Sequence, residues 1–400
     1  MGYGRKRGWS QVFTYIALTA LLFQLSQGMQ RVVYNNFVAD ELHFNAQQLG
    51  FIESLREVPG LATIALAAVT AYFFRSTLAG ICLAITGVGL LFYAHSSSLT
   101  EMLMGTVIMS SGFHLFYPIQ SVQVLESVGQ GEKAGRLGEL NSITAAATLA
   151  AMGFVFVMAK TISYRGFFVV SAGVAALASA LMFAVPRTKA NASTRKFVFR
   201  TKYMNYYILN LLSGARRHMY ITFAAFALVK LYGQSVRAMS MLMVVANILA
   251  IFTRPAMGRI IDRMGERRAL ILNYSAVIVL SLGYAYLHWI WLIYIVYIAD
   301  GVLQGFDVAQ TTYMDKIALK EEIPGTLAMG STINHITGVA VPTVGGFLWE
   351  TFGPWATFLG AALLGVLSTY SAWRINVEKE SAWLHEHEHK QALPEAAVGQ

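Results

Sequence analysis

The chain has 400 residues, of which 56% are hydrophobic and 13% charged, with a formal net charge of +9. So little charge excludes a soluble helical bundle, because the polar faces of such a bundle need far more of it. The apolar residues come in blocks, several longer than the ~20 residues that cross a hydrocarbon core of ~30 Å. The basic excess is spread by loop, so it reports orientation in a lipid bilayer and gives no sign of nucleic acid as a partner. Cys82 is the single cysteine and cannot form an internal disulfide.

Twelve membrane segments are expected. The first six are Val12–Val38, Ala46–Phe73, Thr77–His95, Thr100–Glu126, Leu137–Ala159 and Gly166–Val185. The second six are Tyr203–Val229, Val236–Met257, Ala269–His288, Trp291–Asp315, Leu327–Trp349 and Phe352–Trp373. The reading is an N-terminal six-helix bundle (1–185), a basic cytoplasmic linker (186–202), a C-terminal six-helix bundle (203–374) and a cytoplasmic tail (375–400). Arg5, Lys6 and Arg7, six basic residues from Arg187 to Lys202, and Arg259, Arg263, Arg267 and Arg268 fall on one side. The other side has few, such as Lys160, Arg165, Lys230 and Arg237. The positive-inside rule then puts both termini in the cytoplasm, with a plasma (bacterial inner) membrane as the expected location. The first segment is long and lacks a small-residue cleavage site, so it is not read as a cleavable signal.

Segment 1 carries Gln24, Gln27, Arg31 and Tyr34 at spacings of three, four and three, which makes one polar stripe. In segment 2, FIESLREVPG places Glu53 and Glu57 on one face with Arg56 beside them. At 1.5 Å per residue, Glu57 and Arg31 come out at similar depths. A buried Glu57–Arg31 ion pair is therefore expected, and it is compatible with one glutamate taking a proton during a working cycle. Segment 4 presents Ser110, His114, Tyr117 and Ser121 on one face, and Pro118 is expected to kink it as a hinge. For His114, a satisfied core histidine is the competing reading.

Segment 7 holds Ser213-Gly214-Ala215-Arg216-Arg217-His218 near its middle. A cation at the centre of a bilayer helix costs about 2.5 to 3.5 kcal/mol, so such residues normally face a watery cavity or an ionic partner. Asn210, Ser213, Arg217 and Tyr220 repeat the spacing of the segment 1 stripe. Segment 10 presents Asp300, Gln304, Asp307 and Thr311, each 190 positions after a member of the segment 4 stripe. Segment 11 adds Asn334 and His335, for which a hydrogen-bonding seam is an equal alternative. Four arginines (Arg31, Arg56, Arg216, Arg217) and four carboxylates (Glu53, Glu57, Asp300, Asp307) at roughly 3 kcal/mol each would exceed the ~5–15 kcal/mol stability of a folded protein. They must be paired, hydrated or neutralised.

The halves repeat. At an offset of 186, Gly28, Arg31, Tyr34 and Phe37 match Gly214, Arg217, Tyr220 and Phe223. At 190, Phe116 and Gln120 match Phe306 and Gln310, and Gly135, Leu137 and Ile143 match Gly325, Leu327 and Ile333. Arg217 thus has a counterpart in Arg31, whereas Arg216 matches Gln30 and is expected to pair with an acid such as Asp300.

Between segments 8 and 9 stands GRIIDRMGERR, with Gly258, Asp262, Arg263, Gly265, Arg267 and Arg268. These residues resemble the G-x-x-x-D-R-x-G-x-R-R cytoplasmic loop motif of the major facilitator superfamily. The equivalent loop between segments 2 and 3 reads AVTAYFFRST and keeps only Arg75 of the charges. GVAVPTVGG in segment 11, with Gly338, Pro342, Gly345 and Gly346, is similar to an exporter element of that family, but it stands in the other half and lacks the glycine before Pro342. Close helix packing by small residues accounts for it equally well.

The resemblance implies an all-α membrane protein of twelve helices in two pseudo-symmetric bundles, with alternating access and a central cavity lined by segments 1, 4, 7 and 10. The function expected is secondary active transport of a small solute, an organic anion, coupled to H+ or alternatively Na+. Substrate-binding residues are Arg31, Tyr34, His114, Tyr117, Arg216, Arg217, Tyr220, Gln304 and His335. Glu53, Glu57, Asp300 and Asp307 are proton-coupling candidates, and the loop motif is the cytoplasmic gate. The alternative is a proton-driven exporter of cationic or lipophilic compounds, in which the aspartates bind substrate. A receptor lacks room for a folded signalling domain, and an enzyme would need its ionisable groups near a membrane surface. No enzymatic activity, cofactor or resident metal is expected, although the tail histidines His385, His387 and His389 are of a type that can bind metal. The protein is read as a monomer.

Overall fold

The computed structural model describes residues 10–70, 74–129, 132–185 and 198–384, and of 63–70 the backbone only. Arg5, Lys6 and Arg7, the linker residues 186–197 and the tail histidines His385, His387 and His389 lie outside the described residues. The first helices are α1 (Gln11–Asn36), α2 (Ala46–Thr70), α3 (Arg75–His95), α4 (Leu99–Glu126), α5 (Lys133–Met158) and α6 (Tyr164–Phe183). The later ones are α7 (Met204–Lys230), α8 (Val236–Met264), α9 (Glu266–Tyr286), α10 (Ile290–Leu303), α11 (Val308–Ile317), α12 (Ile323–Phe352) and α13 (Pro354–Trp373). The fold is all-α, and nine spans among the described residues are long and apolar enough by composition to cross a membrane. Segments 1 to 9 are α1 to α9, segment 10 is α10 with α11, and segments 11 and 12 are α12 and α13.

The chain forms two compact units. The first comprises Met1–Thr194 with Leu228–Val244, and the second Arg195–Ala227 with Val245–Gln400. In the first, α3 packs on α4 and α6, α1 on α5 and α6, and α2 on α4. Small residues let these helices approach, since a Cβ on Gly28 would stand 2.6 Å from Ala151 Cβ. Polar groups inside find partners across the seams. Ser26 donates to the Ser171 carbonyl at 2.7 Å, Ser179 to that of Gly80 at 2.7 Å, and Tyr93 and Thr106 hydroxyls lie 2.8 Å apart. The tip of the α7–α8 hairpin joins this unit, where Asn36 donates to the Gln234 carbonyl at 2.8 Å and Ser240 to that of Met152 at 2.5 Å.

In the second unit α9 packs on α13 and α10, and α12 on α13. The crossing of α7 over α12 repeats that of α1 over α5. A Cβ on Gly28 would face Ala151 and Thr148, and one on Gly214 would face Thr337 and Asn334. Gly214, Asn334 and Thr337 each stand 186 positions after Gly28, Thr148 and Ala151. The repeat in the fold therefore runs at 186 through segments 5 and 11, where residue matching favours 190. The difference of four residues is about one helical turn and keeps the same face, so identities alone do not separate the two registers.

Two expectations are corrected. Segment 10 is not one α-helix, because Gln304–Asp307 forms a 3-10 turn between α10 and α11. A Cβ on Gly305 would stand 2.5 Å from Met257 Sδ, so this turn is pressed closely against α8. The tighter turn also breaks the uniform stripe expected for Asp300, Gln304, Asp307 and Thr311. Secondly, the GRIIDRMGERR motif is not a loop. The α8 helix continues through Gly258, Asp262 and Arg263 to Met264, and α9 starts at Glu266. Gly265 alone makes the junction, with φ +79°, a conformation that favours glycine.

Candidate functional site

In the first unit, α2 brings three charges together inside the protein. Glu53 and Glu57 are buried, and Arg56 Nη2 lies 2.8 Å from Glu53 Oε2 and 3.5 Å from Glu57 Oε1. The expected Glu57–Arg31 ion pair does not form. Arg56 takes that place, while Arg31 is exposed. Similar depth along two helices does not ensure facing sides, and Arg56 sits one turn from Glu53 on its own helix.

Helix α4 meets this cluster with Ser110, which donates to the backbone carbonyl of Arg56. His114 Nδ1 lies 2.8 Å from Ser110 Oγ, and its Nε2 lies 3.8 Å from Glu57 Oε2. One turn on, the Tyr117 hydroxyl donates to Gln24 Oε1 at 3.4 Å, and Gln24 Nε2 donates to Thr148 Oγ1 at 2.9 Å. Tyr34 is buried against Tyr93, with ring centroids 5.9 Å apart, and its hydroxyl faces Glu53.

In the second unit, Arg216 and Asp300 are both buried, with Nη1 and Oδ1 3.6 Å apart. This is the partner the repeat suggested for Arg216. The Gln304 side chain bonds the Asp300 carboxylate, and Asp307 lies within the field of Arg216 and Arg217. The Arg216 guanidinium lies 5.9 Å from the Tyr220 ring, and the Tyr220 hydroxyl is 3.4 Å from Ser281 Oγ. His218 Nε2 lies 2.9 Å from Asn334 Oδ1. Arg217 is exposed, and His335 is half-buried on α12. Gln310, visible beforehand only as a repeat match, is buried and donates to Ser213 Oγ at 2.9 Å and Tyr274 Oη at 2.8 Å. It ties α11 to α7 and α9.

The model of the Major Facilitator Superfamily matches residues 16–342 and, in an overlapping second match, 207–398. The chain belongs to the major facilitator superfamily. Among solved structures, the nucleoside transporter NupG is similar with a TM-score of 0.77 and 14% identity over 92% of this chain and 100% of that one. A bacterial homologue of the human lysosomal transporter Spinster, inward-facing and occupied, gives 0.72 and 12% over 90% of this chain and 95% of that one. At such identities these likenesses establish the fold, which is that of membrane transporters. None of the curated proteins searched matches the sequence.

In this facilitator the motif residues stand at the α8–α9 junction, with Asp262, Arg263, Arg267 and Arg268 exposed and the Arg267 guanidinium 5.9 Å from the Trp373 ring. The acids that hold this end of the second unit are two that sequence reading passed over. Glu266 is buried and lies 2.6 Å from Lys316 Nζ. Glu322 is buried and accepts from the Tyr203 hydroxyl at 2.6 Å, with Arg200 at 3.1 Å and Lys202 at 3.2 Å. Burial alone would push the Glu322 carboxyl up, but Tyr203, Lys202 and Arg200 outweigh it and hold it below the usual carboxylate range. The available signal was an acid at each helix start, Glu266 before two arginines in MGERR and the Glu321–Glu322 pair after Lys320 in KEEIP.

Proposed function

We propose that the protein is a secondary active transporter that carries a small organic anion by alternating access, coupled to protons. One observation supports the anion most directly. Arg56 and Arg216 are matched to acids inside their units, whereas Arg31 and Arg217, at matching positions of the repeat, are exposed and form no ion pair among the described residues. A guanidinium binds a carboxylate or phosphate through two parallel hydrogen bonds, which suits both residues to an anionic group. Tyr34, His114, Tyr117, Tyr220, Gln304 and His335 complete the substrate-binding set, with Arg216 held in place by Asp300. Glu53, Glu57, Asp300 and Asp307 are the carboxylates available for coupling, and Gly258, Asp262, Arg263, Gly265, Arg267 and Arg268 form the cytoplasmic gate. The protein works as a monomer in a bacterial inner membrane with both termini cytoplasmic.

A proton-driven exporter of cations is the second reading, and Asp307, which forms no salt bridge among the described residues, favours it. Separate substitutions decide between them. With purified protein and a panel of radiolabelled organic anions, nucleosides and organic cations, Arg217→Gln abolishes anion binding if the anion reading is right. Loss of binding in Asp300→Asn but not in Arg217→Gln contradicts it.

A further inference from the structure

Beyond α13 the chain turns at 374–376 and forms one more helix, residues 377–384, at the end of the second unit that holds Glu266 and Glu322. Asn376 starts it. The Asn376 side-chain oxygen accepts from the Lys379 N–H at 3.1 Å, and Glu380 Oε1 reaches back to accept from the Asn376 N–H at 2.9 Å. Residues 378, 379 and 382 are exposed, whereas Val377 and Trp383 pack against the core cluster that contains Tyr313, Met314 and Ile317 of α11.

Two grips fasten this helix. The hydroxyl of Tyr313, a fully buried residue, donates to Glu380 Oε2. Trp383 lies against the start of α7, with its ring centroid 3.3 Å from Lys202 Nζ and 6.4 Å from that of Tyr203. Glu380 therefore starts its own helix with one oxygen and holds α11 with the other. Tyr313 passes the grip on, because Asn205 Nδ2 of α7 donates to its oxygen at 3.4 Å and Ser371 Oγ of α13 donates to Asn205 Oδ1 at 3.1 Å.

The helix held in this way is the one next to a hinge. α11 has only ten residues and follows the 3-10 turn at Gln304–Asp307, a geometry that often marks a hinge inside a helix. Gln310, Tyr313 and Lys316, three apart along one face, tie it down. Gln310 reaches α7 and α9, Lys316 reaches Glu266, and Tyr313 reaches the 377–384 helix. That last partner is shorter than the ~12–15 residues at which an isolated helix is even marginal in water, so it stays wound only while docked. Its release is a local opening and leaves the rest of the unit folded.

We propose that the 377–384 helix is a strap that restrains α11 through Glu380 and Tyr313, an autoinhibitory contact whose release lets α11 move about the Gln304–Asp307 turn and speeds the transport cycle. This deepens the transport reading above and rests on it for the effect on rate, whereas the restraint on α11 does not depend on it.

The test measures backbone amide exchange of the protein in detergent, and the maximal uptake rate of a labelled organic anion into liposomes. The variants are Tyr313→Phe, Trp383→Ala and a chain ended after Ile375. Each is expected to raise exchange in α11 about tenfold or more, as expected for the loss of a hydrogen bond to a charged group, while α13 keeps its protection. The maximal uptake rate is expected to rise about twofold or more. If the shortened chain does not fold, the two point variants carry the test. Unchanged exchange in α11, an equal rise throughout α13, or raised exchange with an unchanged or lower uptake rate overturns the proposal. Raised α11 exchange in a protein that carries no anion refutes the functional reading and leaves the restraint standing. Anion uptake with unchanged α11 exchange refutes this inference alone.

Discussion

Arg216 and Asp300 form a buried ion pair whose two members fail differently when separated. At 3.6 Å, their attraction is about 5 kcal/mol at an effective dielectric of about 20, before the cost of removing both from water. Arg216 is 3% exposed and Asp300 8%. Asp300→Asn strands a guanidinium that cannot lose its proton, so the cost is about 3–5 kcal/mol near neutral pH. Arg216→Gln strands a carboxylate, which escapes by taking a proton. From an ordinary aspartate value of about 3.9, that escape costs about 4 kcal/mol near pH 7 and about 1.5 kcal/mol near pH 5. The destabilisation by Arg216→Gln is therefore capped and relaxes on acidification. The double replacement Arg216→Met/Asp300→Leu removes both charges and restores most of the stability. Thermal unfolding of the four proteins in detergent at the two pH values measures this. Equal and pH-independent losses in both single variants, or a double variant as weak as the sum of the two, would refute the reasoning.

Two further predictions concern packing and the membrane surface. Gly28→Val and Gly214→Val each lower the unfolding temperature, by the equivalent of about 1–3 kcal/mol, because a Cβ would stand 2.6 Å from Ala151 and 2.8 Å from Thr337. Gly173→Ala, with nothing within 4 Å, gains about 0.5–1 kcal/mol from helix propensity, and an equal loss at all three sites would contradict the crossing geometry. Glu322→Gln costs about 1–2 kcal/mol near neutral pH through its bond to Tyr203, since the two basic partners are largely exposed. Its folded carboxyl lies below the unfolded value of about 4.3, so this stabilisation is present above that pH and is lost as pH falls through the folded value. Acid unfolding curves of wild type and Glu322→Gln should converge in that window, and a gap that widens there would be inconsistent with it.

The twelve segments were legible because a bilayer demands long apolar blocks, and that demand is written in composition. The Arg216–Asp300 pair was legible for a different reason, because the repeat separated Arg216 from Arg217. What escaped was geometry set by close contact. The 3-10 turn at Gln304–Asp307 depends on Gly305 lying against Met257, two residues far apart in the chain. Glu57 meets Arg56 and His114 instead of Arg31, because depth along a helix does not give direction around it. The α8 helix runs through GRIIDRM since nothing before Gly265 breaks it, and a family loop motif carries no information on where the helix ends. Glu266 and Glu322 were passed over as segment ends, and the partners of Glu322, Arg200 and Lys202, stand far from it in the chain.

Uptake into sealed liposomes tests the central claim most directly. With purified protein, an acid exterior and a panel of labelled organic anions, the account predicts accumulation of at least one anion, loss of that accumulation in Arg217→Gln, and its collapse when a protonophore removes the pH gradient. No flux of any anion, or gradient-driven movement of cations alone that survives Arg217→Gln, would contradict it.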